Sequence, residues 1–250
     1  MKLNCDMGEA CGYDAQLMPF IDMANIACGF HAGDKTTMDA TVALAVQHNV
    51  LIGAHPGYAD KAHFGRKPID LTEKQLRELL IEQIELLNSI CRQHKTSVHY
   101  IKPHGALYHA MMANTNTFLA IVDALSSHCT HLPLVVMANE QQSAFARRAK
   151  SKGISLIFEA FCDRAYDDHG QLAPRHQAGA ILHRQEDIDR QIHALINQQS
   201  VTSINGRIIP IKAETICVHG DSQQAVFSVR AIRDLLNQRV GHKNSITGSP

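Results

Sequence analysis

Short apolar segments recur along the chain, and most of them end in glycine, proline, histidine or aspartate before a longer segment of helical periodicity begins. The segments are apolar nearly throughout, which is typical of strands that are buried on both faces of a parallel sheet. The pattern predicts seven strands, over residues 2–6, 24–29, 50–55, 98–104, 134–138, 154–161 and 215–220.

The segments between the strands have the periodicity of amphipathic helices. Thr72 and Gln75 form a capping-box motif, in which the threonine accepts a hydrogen bond from one free N–H group and the glutamine reaches back to another. Asp34 is placed to cap a second helix, and Asp221 or Ser222 to cap the last one. Weaker patterns predict helices over residues 114–128, 140–151 and 186–198.

Strands that alternate with helices indicate a parallel sheet. Seven strands at fairly even spacing favour a closed α/β barrel, and no glycine-rich turn from strand to helix marks a nucleotide crevice. We therefore predict a single (β/α)7 TIM-like barrel over residues 1–240, followed by a frayed polar tail over residues 241–250. One exception is a hairpin with a type I′ turn at Asn205-Gly206, whose second strand lies at an edge because it contains Pro210.

Composition excludes several classes of protein. Lys+Arg and Asp+Glu both number 24, so the basic excess of a nucleic-acid-binding protein is absent. No apolar run approaches the roughly 18 residues of a membrane span, and the first residues lack the apolar region and cleavage site of a signal peptide. The seven cysteines include no Cys-x-x-Cys pair, which predicts free thiols. We expect a cytoplasmic protein that binds neither nucleic acid nor membranes.

Polar side chains concentrate where the predicted strands end. The carboxyl ends of all strands of an α/β barrel meet at one face, and active sites form there. Six segments bring candidate residues to this face: Asn4, Asp6 and Glu9; Asn25, His31 and Asp34; His55 and Tyr58; Lys102 and His104; Glu159, Asp163 and Arg164; His219 and Asp221. Carboxylates and imidazoles can activate water, so these residues indicate a hydrolase that acts on a small polar substrate.

Several of these residues have competing interpretations. Glu159 lies in an apolar run and needs a partner such as Lys102 or a histidine, because an unpaired buried carboxylate is unfavourable. Asp34 and Asp221 could simply cap helices, and the adjacent Asp163 and Arg164 could form an ion pair. A divalent metal bound by side chains from separate strands also remains open, with a set of possible ligands comprising Asp6, His31, His55 and His219.

Two familiar motifs are absent. Residues 29–36 superficially resemble a phosphate-binding loop, but Asp34 interrupts the Gly-Lys-Thr triplet and its carboxylate would repel phosphate. The Gly-x-Ser-x-Gly motif of serine hydrolases does not occur.

Six blocks resemble the LamB/YcsF family and run in the family's order. They are LNCDMGE at residues 3–9, ANIACGFHAGD at 24–34, GAHPGY at 53–58, KPHGALY at 102–108, EAFCDRAY at 159–166 and ICVHGD at 216–221. The resemblance implies a seven-stranded barrel similar to the glycoside hydrolase/deacetylase barrel. It also implies ATP-dependent opening of the lactam ring of 5-oxo-L-proline to L-glutamate, together with 5-oxoprolinase subunits B and C.

The resemblance also divides the candidate residues by role. The catalytic candidates are Asp6, Glu9, His31, His55, Lys102, His104, Glu159 and His219. The substrate-binding candidates are Asn4, Asn25, Asp34, Tyr58, Asp163, Arg164 and Asp221. One departure is the short connection over residues 13–24, which predicts a more open rim than family members usually have. Two alternatives stay open: a metal-dependent deacetylase or amidohydrolase that acts alone, and a non-catalytic ligand-binding subunit.

Overall fold

Seven parallel strands close into a barrel in the computed structural model, which describes residues 1–220 and 223–246. The barrel strands are β1 (Lys2–Met7), β2 (Met23–Ala27), β3 (Leu51–His55), β4 (Tyr100–Ile101), β5 (Leu134–Met137), β6 (Leu156–Phe161) and β9 (Thr215–Val218). Neighbouring strands are hydrogen-bonded in the order β1-β2-β3-β4-β5-β6-β9, and β9 closes the barrel against β1. The predicted fold class is confirmed.

Helices surround the barrel and cover the apolar outer face of its strands. They are α1 (Asp14–Leu17), α2 (Lys35–Gln47), α3 (Glu73–Gln93), α4 (Gly105–Ala113), α5 (Thr115–Ser126), α6 (Gln142–Lys150), α7 (Gln185–His193) and α8 (Gln223–Ile246). Both predicted caps are present at α2 and α3. The Asp34 carboxylate accepts a hydrogen bond from the Thr37 N–H at 2.8 Å, and Thr72 and Gln75 form the full capping box.

An apolar cluster fills the amino-terminal end of the barrel interior. Met23, Tyr100 and Val135 are buried there, with Leu51 and Ile157 packed against them. Gly53 makes room for this cluster, since a Cβ atom at that position would lie 2.1 Å from the Tyr100 ring. The polar end of the interior is therefore the carboxyl end of the strands.

The hairpin forms as predicted, but its turn differs. Strands β7 (Ser200–Thr202) and β8 (Ile208–Pro210) pair in a separate two-stranded sheet, so Pro210 lies on an edge. A type I′ turn needs positive φ at both central residues, whereas only Gly206 has it, at +86°. The Gly206 N–H instead bonds the Ser203 carbonyl at 2.9 Å, and Asp168 accepts hydrogen bonds from Ser203 and Asn205. These contacts to Asp168 select a longer turn.

Helix α8 runs to Ile246, so the predicted boundary at residue 240 falls inside a helix. The last four residues of the predicted tail lie outside the described residues, as do Asp221 and Ser222 and their predicted roles. All seven cysteines have free thiols, as predicted. None of the described helices has both the length and the apolar character that crossing a membrane requires.

We expect Thr72→Ala to lower the free energy of unfolding by about 1 kcal/mol, because it removes the side-chain acceptor at the start of α3. Urea unfolding followed by circular dichroism measures this change. Lys74→Ala is the matched control, since Lys74 is exposed in the same helix turn. Equal losses in the two variants would show that the capping box contributes nothing.

Candidate active site

Alternation along the strands places the polar side chains inside the barrel. Successive residues of a strand point to opposite faces, so Asn4 and Asp6 of β1 face the same way. The same parity applies to the other strands and their extensions. It places Asn25, His55, Lys102, His104, Glu159, Cys217 and His219 toward the barrel axis. The side chains between them point outward and pack against the helices, and these apolar outward residues dominate the sequence pattern of the strands.

The floor of the site is an ionic network around Lys102. Its ammonium nitrogen Nζ lies 3.1 Å from Asp6 Oδ1 and 3.1 Å from Glu159 Oε2. The same nitrogen lies 3.2 Å from Asn4 Oδ1 and 3.0 Å from Cys217 Sγ. Of the partners expected for Glu159, Lys102 or a histidine, the structure shows Lys102, and this one buried cation lies between two buried carboxyl groups.

The network fixes the charge states of Asp6 and Lys102. Burial alone would raise the pKa of Asp6, but Lys102 and His55 hold that pKa well below its usual range. Burial alone would lower the pKa of Lys102, whereas the charges of Asp6 and Glu159 and the hydrogen bond to Cys217 raise it well above its usual range. Asp6 is thus a carboxylate and Lys102 an ammonium at neutral pH.

Two amides support the ionic floor from below. Asn25 Nδ2 donates to Asp6 Oδ1 and to Asn4 Oδ1, both at 2.8 Å, and Asn25 Oδ1 accepts from the Tyr100 hydroxyl at 2.7 Å. Asn4 Nδ2 donates to Glu159 Oε2 at 3.3 Å. Asn4 and Asn25 are fully buried and do not line the cavity, so their position fits orientation of Asp6 and Glu159 better than contact with substrate.

Three histidines and Glu9 form a cluster beside the floor. The His31 and His104 rings stack with centroids 3.8 Å apart, and the His55 ring meets both edge-on. Glu9 Oε1 lies 3.6 Å from His31 Nε2 and 3.6 Å from His104 Nδ1. Burial lowers the pKa of His31 to about 3 and that of His104 well below its usual range.

A histidine–aspartate pair forms one wall of the site. His219 Nδ1 lies 2.7 Å from Asp163 Oδ2, so the carboxylate accepts the Nδ1–H proton and leaves Nε2 to accept from Arg175 at 3.2 Å. The His219 ring stacks on Phe161. Asp163 therefore pairs with His219, and the adjacent Arg164 instead donates to the carbonyls of Ala173 and Ala180.

These groups border a cavity of about 390 Å³ at the carboxyl ends of the strands. Of the sequence-predicted candidates, the cavity is lined by Asp6, Glu9, His55, Lys102, His104, Arg164 and His219. His31, Glu159 and Asp163 lie behind this lining and contact it. Asp34 caps α2 with its exposed side chain, and Tyr58 packs in the hydrophobic core, so neither faces the cavity.

Sequence reasoning missed several residues of the cavity lining. Arg66 belongs to the long connection between β3 and α3, and Arg175 to the one between β6 and α7. Tyr108 and His109 lie on α4, directly after the predicted Lys102 and His104. The two long connections at the carboxyl ends of strands are the signal that could have indicated the arginines, since such loops build barrel active sites.

The fold and the site define a seven-stranded α/β barrel with a cavity of carboxylates, imidazoles and cations at the carboxyl ends of its strands. The model of the LamB/YcsF family matches residues 1–248, and the chain belongs to this family.

Curated relatives match nearly the whole chain. A protein of Vibrio cholerae serotype O1, named as the A subunit of 5-oxoprolinase, is 43% identical over 243 residues, 95% of this chain and 98% of the relative. A protein of the same name from Pseudomonas fluorescens strain Pf0-1 is 44% identical over 244 residues, which cover 96% of this chain and 98% of the relative. The crystal structure of a lactam utilization protein from Thermus thermophilus superposes with a TM-score of 0.87 at 33% identity, covering 96% of both chains.

We expect Lys102→Met to lower the free energy of unfolding by about 3–5 kcal/mol, because it leaves Asp6 and Glu159 buried without their cation. Adding Glu159→Gln should cost less than the sum of the single changes, with a coupling of roughly 0.5–3 kcal/mol. Urea unfolding of the unaltered protein, the two single variants and the double variant measures this double-mutant cycle.

The matched control for this cycle is Lys152→Met. Lys152 pairs with Asp123 at 2.7 Å, but both side chains are about half exposed, so its removal should cost less than about 1 kcal/mol. Similar losses for Lys102→Met and Lys152→Met would contradict the ionic floor.

Proposed function

We propose that this protein opens the lactam ring of 5-oxo-L-proline to give L-glutamate, in an ATP-dependent reaction shared with 5-oxoprolinase subunits B and C. The observation that carries this proposal is the match, over 95% or more of the chain, to curated relatives named as the A subunit of 5-oxoprolinase. The lactam utilization protein of T. thermophilus supports the same class of substrate. The cavity is large enough for a substrate of this size.

The chemistry explains the requirement for ATP. A lactam carbonyl is a poor electrophile, and transfer of the γ-phosphoryl group of ATP to the lactam oxygen makes its carbon electrophilic and releases ADP. Water then adds to this carbon, the ring C–N bond breaks, and the nitrogen takes a proton. The product of that step is an acyl phosphate, which a second water converts to the γ-carboxylate of glutamate and phosphate.

The site offers residues for the ring-opening steps. Asp6 is ionised and held by Lys102 and Asn25 through Oδ1. Its Oδ2 lies 3.6 Å from His55 Nε2, beyond hydrogen-bond distance, and can accept a hydrogen bond from the attacking water. His219 is held in one tautomer by Asp163, and its Nε2 faces the cavity side with Arg175. An imidazole so oriented can carry the proton to the leaving nitrogen, while its aspartate stabilises the imidazolium.

We assign ATP binding to the partner subunits. The segment that superficially resembles a phosphate-binding loop ends at α2, and the Asp34 carboxylate already accepts from the Thr37 N–H at that helix start. A phosphate bound there would compete for this N–H group, and the carboxylate would repel it. The cationic Arg66 and Arg175 at the cavity fit the substrate carboxylate or its phosphoryl group.

The proposed reaction also suits a cytoplasmic protein. It consumes ATP, and the cysteines of this chain are free thiols, which is usual in that compartment.

A second candidate function is a metal-dependent amidohydrolase that acts alone on the same barrel. The cluster of Glu9 with three buried histidines favours it, since these are metal-ligand side chains. The two candidates differ in their need for ATP and for partners.

Glutamate release from 5-oxoproline tests the proposal. The purified chain is assayed alone and with subunits B and C, each with and without ATP. We expect glutamate only when all three subunits and ATP are present. Release by the chain alone without ATP would favour the amidohydrolase, and no release from a folded, assembled complex would overturn the proposed substrate.

We expect Asp6→Asn and His219→Ala each to lower kcat of the assembled complex by about 10²–10⁴-fold, because each removes a group that orients water or carries a proton. His131→Gln is the control, since His131 is exposed and precedes β5, at the opposite end of the barrel. Normal turnover in both variants, with partner binding retained, would show that the chain is a non-catalytic ligand-binding subunit.

A further inference from the structure

Two backbone carbonyls fix the orientation of the histidines beside the floor. His55 Nδ1 lies 2.7 Å from the Lys102 carbonyl oxygen, and His104 Nε2 lies 2.9 Å from the Phe64 carbonyl oxygen. A carbonyl oxygen only accepts, so each of these ring nitrogens carries a proton. The other nitrogens, His55 Nε2 and His104 Nδ1, then present lone pairs to each other across 2.9 Å. Two lone pairs at this distance require a cation between or beside them.

His31 also indicates a bound cation. Its side chain is 1% exposed, and neither ring nitrogen has a hydrogen-bond partner. Buried polar side chains normally have such a partner. A single proton shared by His55 and His104 would satisfy those two residues and leave His31 unexplained, whereas a metal ion would take a lone pair from all three.

The spacing of the atoms fits a metal ion. A tetrahedral ion with bonds of about 2.0–2.1 Å holds its ligand atoms roughly 3.3–3.4 Å apart. The separation is 2.9 Å between His55 Nε2 and His104 Nδ1, and Glu9 Oε1 lies 3.6 Å from each of His31 Nε2 and His104 Nδ1. All four ligand atoms lie within 4.8 Å of one another.

We propose that Glu9, His31, His55 and His104 bind one divalent transition-metal ion at the cavity wall. Three imidazoles and one carboxylate suit Zn²⁺, Co²⁺, Ni²⁺ or Fe²⁺, whereas Mg²⁺ and Ca²⁺ prefer oxygen ligands. This set differs from the one expected from sequence: His31 and His55 belong to it, Asp6 binds Lys102 instead, and His219 pairs with Asp163. An ion here could polarise a carbonyl oxygen or activate water.

The surrounding backbone holds these ligands in position. The Lys102 and Phe64 carbonyls orient two of them, as outer partners of metal-bound histidines commonly do. Gly65, at φ +61°, lets the connection after β3 close over the rings, since a Cβ atom there would lie 2.7 Å from His31 Cβ and 3.0 Å from His104 Cδ2.

Metal binding to the whole chain tests this proposal without any assay of activity. The protein is treated with a chelator, dialysed and titrated with ZnCl₂ or CoCl₂ in a calorimeter, and bound metal is counted by elemental analysis. We expect one equivalent of Zn²⁺ or Co²⁺, and no competition from excess Mg²⁺. The absence of saturable binding of either ion would overturn the proposal and leave a shared proton as the cation.

Two variants locate the site. His31→Gln and His104→Gln should each weaken Zn²⁺ binding by more than about 100-fold, since loss of a direct ligand exceeds the 10–100-fold effect of losing an outer partner. His131→Gln should bind as the unaltered protein does. Circular dichroism verifies that each variant is folded, and unaltered affinity in both ligand variants would overturn the assignment.

Spectroscopy of the unaltered protein covers the case in which a variant fails to fold. X-ray absorption at the zinc edge should show nitrogen and oxygen ligands with imidazole scattering, and the Co²⁺ form should lack thiolate charge-transfer bands. Sulfur ligation would mean that the free cysteines bind the metal, which would contradict the site. These readouts stand apart from 5-oxoproline turnover, so failure of one proposal leaves the other to be judged separately.

Discussion

The ammonium group of Lys102, held between the carboxylates of Asp6 and Glu159, is the interaction on which the barrel interior depends. Two buried carboxylates without a cation would favour unfolding, protonation or the entry of water. The same residue acts through its backbone, because its carbonyl orients His55 while its N–H bonds the Ala54 carbonyl at 2.9 Å. The ionic floor and the histidine cluster are therefore coupled through one residue, and a change that moves Lys102 alters both.

Polarity rises along the barrel axis in steps. The apolar cluster lies at the amino end, and the amides of Asn25 and Asn4 form the next layer. The ionic floor follows, and the imidazoles and arginines of the cavity lie beyond it. Neutral amide dipoles separate the charges from the apolar cluster and supply the hydrogen bonds that water would otherwise provide. This gradient explains how a small barrel holds so many titratable groups at one end without exposing its core.

The strands and the parallel barrel could be predicted from sequence because the apolar outer faces and the turn residues are local signals. The site residues at the strand ends were also predictable, since strand ends converge in this fold, whereas Arg66 and Arg175 on the long connections were not. Apart from the pairing of Glu159 with Lys102, the contacts among the site residues were not predictable. Glu9 departs from the alternation of β1 because Gly8 adopts φ +69°, which turns the chain after the strand. Backbone acceptors such as the Phe64 carbonyl cannot be recognised from residue types at all. The hairpin turn was mispredicted for the same reason, since Asp168, distant in sequence, selects it.

The apolar cluster of Met23, Tyr100 and Val135 determines how substrate enters the barrel and product leaves it. It seals one end of the barrel, so a small molecule enters and leaves the interior by the same mouth. In the proposed reaction, a partner that hands over an activated, water-sensitive compound would cover that mouth, and the product would have no exit while it did so. Catalysis in such an assembly would proceed by alternate closing and opening of the contact between subunits, and the rate of that opening would set an upper limit on turnover.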